Sequence, residues 1–351
     1  MKTGIQNNKL ISFKALGYFL YVSVVTVIML EILLRLLLYE PYHFYPFSIH
    51  SEPQACVFPD SIYGFRLNSG TYTVTINKGL HFKTTHNKQG QRMTNRPSQS
   101  EYTIQLHGCS YTYGFGIADS LTVAYQLQER LKPTISVENH AVLGYGNVQS
   151  YHAIQAAIQA GNQPDLVIIN YASFHDDRNV LTPMYRKDLK NGFANADSSM
   201  HVRYQQLRFP YVKWQNNQLT FCWDRWDHIY QNWIGREHSA LINLLQTIAD
   251  KWSISRFKKE EWTNLLFKEI HQLCTQHHIK LLVTGITQNH RTEELLFYCQ
   301  QQGIPTLNIS VDLLDVQFNN LPFDTHPNGN AHTHFATALA QYIQKTTVVQ
   351  K

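Results

Sequence analysis

Apolar and polar positions divide the chain into three stretches of different rhythm. The first is a nearly unbroken apolar run, ALGYFLYVSVVTVIMLEILLRLLL, over residues 15–38. A helix needs about 20 mainly apolar residues to cross a hydrocarbon core, and this run reaches that length. Only Glu31 and Arg35 interrupt it. Four apart on a helix, they share one face and can pair. Arg35 is near enough to the end for its stem to carry the charge outward.

The second stretch, residues 59–100, reads as short strands: IYGFRLNSG, TYTVTI and LHFKTT, then the turn-rich HNKQGQRMTNRPSQS. Clustered β-branched and aromatic residues between turn formers predict a small β-rich lead-in. A Pro-containing connector, about residues 40–58, joins it to the apolar run.

From residue 102 the period alternates between strand and helix. Strands are predicted at 102–108, 134–142, 165–173, 279–287 and 304–310, and helices at 120–131, 148–160, 257–278, 291–302 and 329–346. Such alternation predicts a parallel sheet with helices on both faces. LVII and KLLV are continuously apolar, as strands covered on both faces are.

Residues 178–256 break the pattern and read as one aromatic-rich insertion. They carry Tyr204, Phe209, Tyr211, Trp214, Phe221, Trp223, Trp226, Tyr230 and Trp233. A lid or substrate surface and a self-packed subdomain both fit such a segment.

Flanking residues orient the apolar run. Lys2, Lys9 and Lys14 precede it, which favours residues 1–14 as a cytoplasmic tail and a domain beyond residue 38 outside the cytoplasm. Tyr39, Tyr42, His43, Phe44, Tyr45 and Phe47 suit an interfacial belt. A cleaved signal peptide would have a shorter core and a small-x-small site, which LYEPYHFYPF lacks. An uncleaved anchor is therefore preferred to a signal peptide or a buried or interfacial helix.

Composition narrows the class. The chain is 43% hydrophobic and only 16% charged, with net charge +5 and pI near 8.8. Its basic residues are scattered, and the densest cluster, RFKK at 256–259, reads as a solvated helix face. No nucleic-acid partner is expected. The five cysteines, 56, 109, 222, 274 and 299, form no C-x-x-C pair, which argues against a zinc or redox site. One disulfide remains open, with no pair singled out.

In open parallel sheets, ligands bind beyond the carboxyl ends of the strands. HGCSYTYGFG (107–116) follows the first strand and sets Ser110 at a strand-to-helix corner, where a hydroxyl is either a nucleophile or a helix cap. AVLGYGN (141–147) places Gly144 and Gly146 after the second strand, and YASFHDDRN (171–179) follows the third. PFDTHPNGNAH (322–332) precedes the last helix, with Asp324 and His326 two apart and able to face one cleft. A G-x-S-x-G elbow is absent, because Thr112 holds the second glycine position. His332 and His334 read as helix residues, not as metal ligands with His326.

In these four blocks the chain resembles the SGNH (GDSL-type) hydrolase family over about residues 102–346. Gly108-Cys109-Ser110 looks like its first block, with Cys109 where Asp is usual. Gly144 looks like the second, Ser173-Phe174-His175-Asp176 like the third with His175 in place of Asn, and Asp324-Thr325-His326 like the fourth. The resemblance implies a flavodoxin-like three-layer α/β/α sandwich over 101–346. It implies a serine esterase using Ser110, His326 and Asp324, with an oxyanion hole from Ser110, Gly144 and His175. No cofactor or metal is implied. The expected partner is an acylated small molecule, glycan or lipid. Acyl transfer to an exported polysaccharide and a non-catalytic role on the same fold are the alternatives.

Overall fold

The computed structural model describes residues 5–44, 49–76, 79–194 and 207–346. Lys2, Tyr45, Phe47 and Tyr204, named above, lie outside the described residues. The chain divides into two compact units, residues 1–45 with 231–256, and residues 46–230 with 257–351.

The larger unit opens with five strands, β1 (Ile49–Glu52), β2 (Val57–Asp60), β3 (Gly64–Leu67), β4 (Gly70–Ile76) and β5 (Leu80–His86). β1 and the start of β2 fall within the segment expected to be a connector. β1, β4 and β5 form an antiparallel sheet, and β2 and β3 a separate ladder.

The main sheet is built from β6 (Tyr102–His107), β7 (Ile135–Asn139) and β8 (Leu166–Tyr171). A hairpin of β9 (Arg208–Gln215) and β10 (Gln218–Arg225) intervenes, and β11 (Lys280–Thr287) and β12 (Thr306–Val311) complete the sheet. The sheet order is β12-β11-β8-β6-β7, all parallel. Counted along the chain that is 2-1-3-4-5, the flavodoxin-like order.

Its strands are apolar throughout because both faces are covered. On β8, Leu166 and Ile168 join a core with helices Val123–Arg130 and Gly329–Lys345. Val167, Ile169 and Tyr171 join another with helices Asn147–Gln159, Lys259–Gln276 and His290–Gln301. Helices on both faces of one sheet make the three-layer α/β/α sandwich expected from the alternating pattern.

The lead-in is not a separate body. Phe65, Tyr72, Val74, Ile76 and Phe82 share a core with Tyr113, Phe115, Val142 and Tyr145 from the loops of the main sheet.

The segment expected as one insertion is divided between the units. Its β9–β10 hairpin turns on Asn216 and Asn217, both at positive φ (53° and 60°), the signature of a two-residue primed turn. This hairpin packs within the larger unit. Phe209 and Val212 are buried, and Phe221 stacks on Tyr151 with centroids 4.2 Å apart. These rings pack against the main sandwich, while Trp214 and Trp223 of the same hairpin are 44 and 42% exposed.

Residues 231–256 belong to the smaller unit. They hold the helix Ala240–Ile254, capped by Ser239, whose Oγ accepts from the Ile242 N–H. The other element of that unit is the helix Ile5–Leu36, which begins ten residues before the apolar run starting at Ala15. Its stretch Phe13–Leu36 is long and apolar enough to cross a membrane and has no buried share.

Candidate active site

Strand β6 ends at His107, and the chain turns sharply through Gly108 and Cys109 into the short helix Ser110–Tyr113. Gly108 is required by close approach: a Cβ there would lie 2.3 Å from Thr112 Oγ1. The cap of this helix is Cys109, not Ser110. Its buried Sγ accepts from the Tyr111 N–H at 3.5 Å. The Ser110 hydroxyl is thereby left for another partner.

That partner is His326, whose Nε2 lies 2.9 Å from Ser110 Oγ. On the other side of the ring, Nδ1 is 2.5 Å from Asp324 Oδ1. A carboxylate only accepts, so Nδ1 carries the proton and Nε2 is free to accept from the serine hydroxyl. The Asp324 Oδ1 also accepts the His326 backbone N–H at 2.7 Å, which fixes the two residues to each other. They sit on the short strand β14 (Asp324–Pro327), paired with β13 (Asn319–Asn320). Asn328 then caps the last helix, its side chain accepting from Asn330 and Ala331 N–H groups.

The imidazole is held between two rings. Tyr111 meets it edge-on with centroids 5.1 Å apart, and Phe115 lies at 4.9 Å on a tilt. Burial pushes the Tyr111 hydroxyl up to about 12, so it stays neutral beside the site. Asp324 is nearly buried, and its Oδ2 has no partner among the described residues.

Gly144 follows β7 in a loop with φ +74°, a left-handed conformation that favours glycine. A Cβ there would meet the Phe65 ring at 3.0 Å. The Gly144 carbonyl is taken by the Tyr185 hydroxyl. Gly146 N–H donates to Gln149 Oε1 at 3.0 Å and opens the next helix.

His175 begins a short helix after β8 and is fully buried, edge-on to Tyr171 and Phe174. Burial, assisted by nearby Arg178, holds its pKa well below the usual range, so the ring is neutral. Its Nδ1 accepts weakly from the Ala172 N–H at 3.4 Å. The proton therefore sits on Nε2, a donor with no partner among the described residues. Neighbouring Asp176 is structural, accepting from Tyr171 Oη at 2.8 Å and Arg291 Nε at 2.6 Å.

Arg92 was not singled out in the sequence. Its side chain is fully buried. It pairs with Asp119 at 2.8 Å and donates to the carbonyls of Tyr113, Gly114 and Ile117 at 2.9, 2.5 and 2.6 Å. It thus fixes from the lead-in the loop that carries Phe115 against His326. No residue spacing signals this role.

His332 is also structural. Its Nδ1 accepts the Val123 N–H at 2.9 Å and so caps a helix. All five cysteines are free thiols.

The fold is similar to several solved structures at low identity. One is a GDSL-like lipase from Bacteroides thetaiotaomicron, at 12% identity over 70% of this chain and 89% of that one, TM-score 0.37. Another is a carbohydrate acetylesterase family member from Sinorhizobium meliloti, at 10% over 70% and 98%, TM-score 0.34. A third is a family two carbohydrate esterase from Clostridium thermocellum in complex with cellohexaose, at 11% over 73% and 67%, TM-score 0.35. The chain matches no family model and no curated protein.

Proposed function

We propose that this chain is a serine esterase of the SGNH type, which hydrolyses an O-acyl ester of a carbohydrate or lipid outside the cytoplasm. The observation that carries the reading is the continuous line Ser110 Oγ, His326 Nε2, His326 Nδ1, Asp324 Oδ1, with steps of 2.9 and 2.5 Å. A serine whose proton has an acceptor, itself oriented by a carboxylate, is an activated nucleophile.

In this mechanism Ser110 Oγ attacks the ester carbonyl carbon while its proton passes to His326 Nε2. The carbonyl oxygen becomes an oxyanion, facing the N–H groups of Ser110 and Gly144. The His175 Nε2–H is the proposed third donor. The tetrahedral intermediate collapses, the C–O bond breaks, and the leaving alkoxide takes the proton from His326. Water, deprotonated by the same imidazole, then releases the acid and restores Ser110. Each oxyanion donor contributes about 3 kcal/mol where such groups have been removed. Asp324 keeps the imidazole in the tautomer that both steps require.

The apolar helix Phe13–Leu36 supports single-pass anchoring. The preceding lysines favour a cytoplasmic N-terminus.

A fluorophosphonate probe tests the reading on the full chain. Labelling of the wild type and not of Ser110→Ala is the expected result. Equal labelling of both, or of neither under conditions where a control esterase reacts, refutes it.

A further inference from the structure

The helix Ala240–Ile254 buries a polar side chain and exposes several large apolar ones. Its polar position Gln246 is 2% exposed. Gln246 Oε1 accepts from Trp233 N–H at 2.8 Å and its Nε2 donates to Gln231 O at 3.0 Å. The apolar residues Leu245, Ile248 and Trp252 are instead 46, 53 and 63% exposed. Their spacing of three and four puts them on one face. Ile234, just upstream, is 98% exposed. A helix in water shows the opposite arrangement.

This helix is tied to the apolar helix Ile5–Leu36 through Glu31. One carboxylate oxygen accepts from Arg35 Nε at 2.7 Å and from the Ala240 N–H at 3.0 Å. The other accepts from Ser239 Oγ at 2.8 Å and the Leu241 N–H at 2.9 Å. Arg35 also donates to the His238 carbonyl at 2.9 Å. The one acidic residue of the apolar run is thus neutralised by an arginine and by the N-terminus of a second helix. Both ionic residues of the run are used in this joint.

Depth follows from helix geometry. Glu31 lies five residues before the helix end at Leu36, which is about 8 Å at 1.5 Å per residue. Helices lying in a membrane interface bury their apolar face about 5–10 Å deep. Trp252, with the Arg256 guanidinium 3.8 Å over its ring, and exposed Lys251 are residue types that settle at that level.

We propose that Ala240–Ile254 is a second membrane element, an amphipathic helix lying in the lipid interface where the anchor emerges. Its lipid contacts are Leu245, Ile248 and Trp252. This inference rests on the anchor reading of Phe13–Leu36. Lipid is favoured over a second copy of the chain because the helix that carries the exposed face is held at its N-terminus, through Glu31, to a spanning helix whose own apolar surface is exposed.

The test uses the full chain in phosphatidylcholine–phosphatidylglycerol vesicles. Single bimane labels are placed at Val24→Cys, Leu245→Cys, Ile248→Cys and, as an aqueous reference, Gln301→Cys. The signal of the labelled parent protein is subtracted. Each site is quenched separately with doxyl lipids and with iodide.

The expected result is lipid quenching at 24, 245 and 248, with shallow doxyl labels most effective at 245 and 248. Iodide quenching at these two sites should be at least about threefold below that at 301. Lipid quenching at 24 with aqueous behaviour at both 245 and 248 overturns the proposal and leaves the anchor standing. Aqueous behaviour at 24 refutes the anchor and the proposal together. Shielding of 248 from both quenchers, with Ile248→Cys forming disulfide dimers, assigns the face to a second copy and also overturns it.

Discussion

Ser110 Oγ lies 2.9 Å from His326 Nε2 although 216 residues separate them along the chain. The contact joins the short helix that follows the first strand of the sheet to the short strand β14 before the last helix. With Asp324 2.5 Å from the far side of the ring, the proton of Ser110 has a directed acceptor. Removing the hydroxyl should therefore stop turnover without disturbing the fold. Ser110→Ala is expected to lower kcat on p-nitrophenyl acetate by at least about 10³-fold, and Asp324→Asn by about 10⁴-fold through the wrong tautomer. Both should keep Tm close to wild type. Hydrolysis rates and thermal scans on the same preparations check this.

His175 carries a buried donor with no partner among the described residues. Leaving such a group unsatisfied costs about 1–3 kcal/mol, so a transient partner would account for it. If that partner is the oxyanion, His175→Ala lowers kcat about 10²- to 10³-fold with KM little changed. His175→Asn, which restores an N–H donor, recovers much of the loss. A kcat for His175→Ala within twofold of wild type removes the residue from the site.

The buried Arg92 makes an ion pair with partly exposed Asp119 and three bonds to carbonyl oxygens of the loop after Ser110. Arg92→Met leaves Asp119 and those carbonyls without their donor. A loss of about 3–5 kcal/mol in urea-unfolding stability is expected, as for breaking other buried pairs. The folded fraction should also show reduced kcat, because Phe115 loses its fixed position against His326.

Several buried histidines set an acid limit on stability. Burial lowers His332 to about 3 and His86 and His152 to about 4. Unfolded, each titrates near 6.5. Between the two values the unfolded chain binds more protons, so stability is complete above about pH 6.5 and falls as the pH drops below it. Each such group steepens the slope by about 1.4 kcal/mol per pH unit. Urea midpoints should fall from pH 7.5 to 5.5. His332→Asn, whose Oδ1 can replace Nδ1 as acceptor for the Val123 N–H, should show a shallower fall.

The strand–helix alternation was legible because covered strands are continuously apolar and amphipathic helices repeat near 3.6 residues. Ser110 was legible as a residue just beyond a strand end, and Asp324 and His326 as an Asp–His pair shortly before the last helix. The β9–β10 hairpin carried a local signal, the paired Asn216 and Asn217, that a search for apolar runs passes over. The helix Ala240–Ile254 was hidden for a different reason. Its apolar residues sit in an aromatic-rich stretch that reads as one insertion, and its partner, Glu31, lies more than 200 residues earlier in the chain.

By itself, then, the sequence determined the sheet-and-helix order, the apolar N-terminal run and the names of the candidate site residues. These depend on local periodicity and on residue chemistry. The tertiary structure decided which of them meet. It made Cys109 the helix cap and so released Ser110 to His326. It brought Arg92 from the lead-in to hold the loop beside the site, and it joined Glu31 to a helix begun at Ala240. Each of these contacts spans a turn or a long separation, and no local pattern encodes the direction in which a side chain will find its partner.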